Sequence, residues 1–246
     1  MPADANSRRI ATTRWSVVLA AGGSDTTQAR VALATLCESY WYPVYAFIRR
    51  TGHSCDDARD LTQEFFARVL EKGYLRAVRP DRGRFRSFLL TSLRHFLANE
   101  RDWRHAAKRG GGKPLLPLEF DDGERRYQFE PTDELTPERI YERRWASAVL
   151  ETAMQRLEES LARAGRERLF KQLKPFVFDE QPGKYESLAR ELDMTEGALR
   201  VSVHRLRRQF GLLLREVIAE TVDPENEVDD ELHYLLDIVS RGSPSR

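Results

Sequence analysis

Apolar positions along this chain recur at spacings of three and four, and no stretch shows convincing strict alternation. At about 100° per residue such spacing winds the apolar side chains into one stripe, so the pattern predicts helices and no sheet. Thr13 caps a short first helix, Arg14 to Ala21, ended by Gly22 and Gly23. A longer helix runs from about Thr27 to Thr51 with Val31, Leu36, Tyr40, Val44, Phe47 and Ile48 inward, and Gly52 stops it. Ser54 or Asp56 opens the next, which reaches about Lys72 with Ala58, Leu61, Phe65, Val69 and Leu70 inward. After a Gly/Pro/Arg-rich loop, Gly73 to Arg84, a further helix extends from Phe85 to about Ala107. Thr136 followed by Pro137 is a strong helix start, and Ile140, Val149, Leu150, Leu157 and Leu161 carry that helix to a stop at Gly165. A short helix around Glu167 to Leu173 and a turn through Pro182 and Gly183 follow.

The segment Tyr185 to Arg208, YESLARELDMTEGALRVSVHRLRR, predicts two helices at a sharp turn. Leu188, Ala189 and Leu192 form a short apolar face, which Asp193 and Met194 interrupt. The Thr195 hydroxyl caps the second helix by taking an orphan backbone N–H. Leu199, Val203, Leu206, Phe210, Leu213 and Val217 then form the inward stripe, and Arg200, His204, Arg207 and Arg208 fall opposite. A helix anchored by one face and cationic on the other has the shape that enters a DNA major groove.

Charge adds a second cationic helix. Net charge is +1, so anion binding has to come from local patches. Residues 94–113 hold six Lys/Arg against Glu100 and Asp102, whereas residues 220–231 hold seven acids and no Lys or Arg. In FRSFLLTSLRHFLANERDWRHAAKRGGGK, the residues Phe85, Phe88, Leu89, Phe96 and Trp103 share one face, with Arg94 and Arg101 opposite and Arg104, Lys108, Arg109 and Lys113 beyond. Cations interleaved with aromatics suit phosphates and unstacked bases. The helix DDARDLTQEFFARVL presents Asp60, Gln63 and Glu64 side by side on its outer face, a compact surface for a basic partner.

Cysteine usage and hydropathy narrow the classes. Two cysteines, Cys37 and Cys55, make neither a disulfide framework nor a zinc set; with His53 they are a poor trio of ligands, because Cys37 sits in an apolar run. No cofactor and no metal are expected. No run of about 18 apolar residues predicts a membrane span, and the N-terminal stretch lacks an apolar signal core, so a cytoplasmic protein is expected. RGGGK at 109–113 has neither the preceding strand nor the Lys-Ser/Thr of a phosphate loop. Residues 110–136 mix Gly, Pro and charge without periodicity, as a linker does. The last twenty or so residues mix acids with Leu232, Leu235 and Leu236 and predict an amphipathic helix, which either folds back onto a basic face or, the favoured expectation, caps the second domain's core.

In this order the three segments resemble a bacterial RNA polymerase sigma factor of the extracytoplasmic-function (ECF) type, in a branch with N- and C-terminal extensions. The stretch Asp57 to Phe66 resembles the helix that docks on the polymerase clamp; the Phe85 helix resembles the one that melts and reads the minus-ten element; Tyr185 to Arg208 resembles the helix-turn-helix that reads the minus-thirty-five element. The resemblance implies an all-α chain of two small helical domains joined by a flexible linker: an extension at 1–26, a region-two-like domain at 27–109, a linker at 110–136, a region-four-like domain at 137–221 and an acidic extension at 222–246. It implies that Asp60, Gln63 and Glu64 contact core polymerase, and that Arg94, Arg101, Arg104, Lys108 and Arg109 hold promoter DNA. Glu196, Gly197, Arg200, Val201, His204, Arg205, Arg207 and Arg208 then face the minus-thirty-five groove. His95, Asn99, Asp193 and Ser202 depart from the family's usual residues; Asp193 replaces a turn glycine, and Asp tolerates the left-handed conformation. Such a protein is not an enzyme and takes no small-molecule substrate; its partners are core polymerase and promoter DNA, and an anti-sigma factor is admitted. A helix-turn-helix regulator acting without polymerase is the competing expectation, and a helical enzyme a distant third.

Overall fold

The computed structural model describes residues 27–70, 84–103, 120–128, 136–179, 183–222 and 227–242. The expected helix at Arg14–Ala21 and the loop at 73–83 lie outside them. Among the described residues there are nine α-helices and no strand; Arg84 and Val222 form one isolated antiparallel bridge. The fold is all-α, as the periodicity requires. Among the described residues no helix is long and apolar enough to cross a membrane.

The chain divides into two compact units. One takes the described residues up to Trp145 together with those from Ala219 onward; the other is Ala146–Ile218. The first contains α1 (Thr27–Arg50), α2 (Cys55–Leu70), α3 (Phe85–Trp103), α4 (Phe120–Gln128), the start of α5 (Pro137–Arg163) and, after the last residue of α8 (Glu196–Ala219), α9 (Glu227–Gly242). The rest of α5, α6 (Glu167–Leu173), a short 3₁₀ turn Lys174–Phe176, α7 (Lys184–Glu191) and most of α8 form the second. This division differs from the expected one, 27–109 and 137–221: the segment 137–145 and the acidic end belong with the first unit.

Local chemistry sets the boundaries. Gly52 at φ +96° and Gly165 at φ +68° end α1 and α5 in the left-handed region that glycine enters freely. Ser54 opens α2: its Oγ accepts the Asp57 N–H at 3.1 Å and donates to the Asp57 carboxylate at 2.9 Å. Thr136 caps α5, with the Arg139 N–H on its Oγ1 at 3.3 Å, and Pro137 occupies the first helical position, where its missing N–H leaves no bond unmade.

The first unit's core is aromatic. Tyr40, Tyr45, Phe65, Phe66, Phe85, Phe88, Phe96, Tyr141 and Trp145 are buried, and the Trp145 indole N–H donates to Tyr40 Oη at 2.9 Å. Cys37 is fully buried in α1, and burial pushes its thiol well above the ordinary range. Val31, expected inward, is 62% exposed: it lies two residues before Leu33, where the buried positions of α1 start. Residues 120–128 were expected to be linker without structure, yet they form α4, packed on α1. Tyr45 and Arg49 of α1 both donate to the Glu124 carboxylate, Arg49 from Nε at 3.0 Å and Nη2 at 2.9 Å. Burial alone would raise Glu124, but those two donors hold its carboxyl below the ordinary value.

Gly123 lets the helices meet. A Cβ there would stand 2.8 Å from the Trp41 ring, which is itself flanked by Tyr42 and Phe120. Gly123→Ala should therefore cost about 1–3 kcal/mol through forced repacking, read from the urea midpoint; a change within about 0.5 kcal/mol, the range of an ordinary surface substitution, would show that α4 is not closely docked.

Candidate nucleic-acid and protein interfaces

In the second unit the chain makes a helix, a turn and a longer helix. Leu192 to Thr195 joins α7 to α8. Asp193 has φ +52°, the one positive-φ residue other than glycine among the described residues. Around it the Met194 N–H reaches back to Ala189 O at 2.9 Å and the Asp193 N–H to Arg190 O at 3.3 Å. This paired return bond is the Schellman ending, in which a left-handed residue turns the chain out of the helix. Thr195 Oγ1 then accepts the Ala198 N–H at 3.2 Å, capping α8.

The buried side of α8 is Leu199, Val203, Leu206, Phe210, Leu214, Val217 and Ile218. Leu213, expected in that stripe, is half-buried and Leu214 takes its place, because after Phe210 the inward step is four residues rather than three. With that face inward, Glu196, Gly197, Arg200, Val201, His204, Arg205 and Arg208 are exposed, Val201 by 49%. Arg200 lies flat: Nε and Nη2 donate to Glu196 Oε1 at 3.0 and 2.7 Å, and its guanidinium stands 4.4 Å from the centre of the Tyr185 ring. The ring fixes the plane of the fork, a contact that neither charge nor periodicity announces. Arg207 differs from its neighbours. It is half-buried and donates from Nε to Phe176 O at 2.9 Å and from Nη2 to Asp179 O at 3.3 Å, so it braces the chain leaving the 3₁₀ turn.

In the first unit, Asp60 and Glu64 are exposed on α2 and Gln63 between them is half-buried. Arg68, one turn on, pairs with Glu64 and covers the Phe96 ring at 4.8 Å. Arg94 of α3 is exposed and bonds to Glu138 Oε1 at 2.8 Å. Burial would raise Glu138, but Arg94, the backbone at the helix start and Thr136 outweigh it and hold the carboxyl below its ordinary value. The Arg101 side chain and residues Arg104, Lys108 and Arg109 lie outside the described residues.

The cluster that sequence reasoning missed is at the other end of α3. Arg84 and Arg86 meet Glu227, Asp230 and Glu231 of α9. The acidic run was legible; which cations it would meet was not, since the partners lie 145 positions apart for Arg86 and Glu231. The expectation that the acidic end caps the second domain's core is thereby corrected: α9 packs in the first unit, where Leu235 is buried while Leu236 is 52% exposed.

No family model, no curated protein and no solved structure matches this chain at a level that marks relationship.

The turn makes its own prediction. Asp193→Val should destabilise the second unit by about 1–2 kcal/mol relative to Asp193→Gly, the cost of a β-branched residue in left-handed backbone. Thr195→Ala should cost about 1 kcal/mol for the lost cap. Both are read by chemical denaturation; equal stability of the two Asp193 variants would count against the left-handed turn.

Proposed function

We propose that the chain is a sigma factor of the ECF type, which binds core RNA polymerase, recognises a promoter at two places and promotes opening of the duplex. The observation that carries the reading is the outer face of α8: Gly197, Arg200, Val201, His204, Arg205 and Arg208 stand exposed on a helix whose opposite face is buried. The expected order supports it, with the exposed acids of α2 first, the cationic α3 next and the α7–α8 pair last.

The physical division of labour follows. Arg205 and Arg208 suit phosphates, which set register, while Glu196, Arg200 and Val201 suit base edges: a carboxylate accepts from cytosine N4, an arginine fork donates to guanine, and an apolar group meets a thymine methyl. Arg94 suits the backbone near the melted segment. Opening DNA costs a few kcal/mol per extruded base, offset by capture of unstacked bases and by the polymerase. Dividing recognition between two tethered modules lets two modest affinities combine. Asp60, Gln63 and Glu64 provide an acidic edge for the polymerase. Arg207 belongs to the scaffold of the second unit under this reading rather than to its DNA contacts.

The competing reading, a regulator that binds DNA without polymerase, gives the Asp60–Glu64 edge no task. Asp60→Lys combined with Glu64→Lys should abolish copurification with core polymerase and start no transcript in run-off assays, while leaving DNA binding by the second unit intact. Copurification equal to the parent's would overturn polymerase docking through this edge. Arg205→Ala and Arg208→Ala should each lower the slope of log affinity against log salt by about 0.9, the value of one phosphate contact; slopes equal to the parent's would remove both from the DNA interface.

A further inference from the structure

We propose that Glu231 and Tyr234 of α9 are positioning residues for α3: acting on Arg86 and Glu142, they fix how α3 lies against the start of α5, and so where Arg94 stands. The use of Arg94 rests on the proposed function; the alignment of the helices does not. Every residue involved belongs to the first unit.

α3 and the start of α5 run side by side in opposite directions. At one end Arg94 bonds to Glu138 Oε1 at 2.8 Å. At the other the Tyr141 hydroxyl donates to the Arg86 carbonyl at 3.1 Å, and the Arg86 guanidinium lies 5.0 Å from the Trp145 ring centre. The stretches 86–94 and 138–145 span about 12 Å and about 10 Å at the helical rise, so the contacts keep step. α9 grips both helices at the Arg86 end. Glu231, 1% exposed, accepts from Arg86 Nε at 2.6 Å and Nη2 at 3.1 Å, and pairs with Arg84 Nη1 at 3.2 Å. The Tyr234 ring centre stands 4.0 Å from the Arg86 guanidinium, and its hydroxyl donates to the Glu142 carboxylate of α5.

The apolar contacts of α3 hold it down without aiming it. Phe85, Phe88, Leu89 and Phe96 are buried, but burial of apolar surface has no direction. The Phe85 N–H, bonded to Thr221 O at 2.9 Å, pins one point of the helix. A second point, off its axis, sets the rotation. The Arg86–Glu231 pair supplies it, because a planar guanidinium fork meets a carboxylate bidentately in one geometry. Glu231→Gln leaves that fork one acceptor oxygen and a buried cation without its carboxylate. Arg94 stands about two turns along the same helix, so a rotation at Arg86 is carried to it.

Full-length variants separate alignment from stability. Arg86→Met combined with Glu231→Leu removes both charges, an exchange that is often neutral in stability, and so keeps the fold while losing the fork. Spin labels at two exposed positions, Ser39→Cys of α1 and Ala98→Cys of α3, in a Cys55→Ser background, report where α3 lies within the first unit. The distance distribution should broaden or shift in Glu231→Gln and in the double variant, with the urea midpoint of the double variant close to the parent's. A distribution in the double variant as narrow as the parent's and centred at the same distance would overturn positioning and leave the pair a role in stability alone. Tyr234→Phe, which keeps the ring and loses only the bond to Glu142, carries the same comparison should the double variant fail to fold. The second readout is run-off transcription with core polymerase on a genomic fragment that the parent transcribes. Arg94→Ala and Glu231→Gln should each lower the yield about tenfold, the worth of one bond to a charged group, and together little more, because both remove the same contact. Losses that multiply would overturn action through Arg94. If the parent itself starts no transcript, the proposed function falls, and the label distances still decide the alignment.

Discussion

A carboxylate and a guanidinium buried together are costly to desolvate, and the first unit depends on the terms that offset that cost at Arg86 and Glu231. Burial alone would pull the Arg86 guanidinium down; the Glu231 carboxylate outweighs it, and the group sits above its ordinary value. Two rings cover the cation, and a second arginine shares the carboxylate. The Tyr141 hydroxyl donates to the Arg86 carbonyl at 3.1 Å, so the backbone at this point is also held. Breaking such a pair on one side costs about 3–5 kcal/mol, whereas replacing both partners with apolar groups of similar volume is often neutral. What the pair provides is direction: one arrangement of α3, α5 and α9 satisfies every charge, and a slipped α9 strands Glu231.

The second unit works by the opposite means. The ion pairs seen among its described residues lie on exposed side chains; an apolar stripe and a turn organise it. Once Leu199, Val203, Leu206 and Phe210 are inward, the orientation of every cation on α8 is decided by the period of the helix. The turn at Asp193 then decides where α8 starts, and Thr195 decides which N–H groups it leaves open. Arg207 shows the limit of that argument. Its neighbours Arg205 and Arg208 are exposed, while Arg207 is drawn to the carbonyls of Phe176 and Asp179, because backbone carbonyls leaving the 3₁₀ turn are acceptors that need a donor.

Much of this was legible along the chain. The helical class, the stops at Gly52 and Gly165, the cap at Thr195, the start at Thr136–Pro137 and the left-handed Asp193 all depend on residues within a few positions of each other. What was not legible depends on partners far apart. Val31 matches the period of α1, but exposure is settled by what packs there. Residues 120–128 hold mixed charge, which reads as linker until Glu124 meets Tyr45 and Arg49. The acidic end pointed to a basic partner, and only the fold selects Arg84 and Arg86. The candidate site divides in the same way: the face of α8 was written in its period, whereas the loss of Arg207 to the scaffold and the ring beneath Arg200 were not.

The charge count has to be read through these contacts. Arg49, Arg84, Arg86 and Arg207 resemble Arg94, Arg200, Arg205 and Arg208 in sequence, yet the first group is committed to half-buried or buried acceptors and backbone carbonyls. Arg94 and Arg200 also have partners, Glu138 and Glu196, but on exposed side chains. Such surface pairs contribute about 0–1 kcal/mol, less than a charge-assisted bond to a phosphate in a partly desolvated groove. They hold the guanidiniums in place in the free protein and, under the proposed function, release them to a phosphate. Buried pairs do not exchange in this way. Under the proposed function, the anion-binding surface is the set of arginines whose bonds are weak enough to give up, and a net charge of +1 does not reveal it.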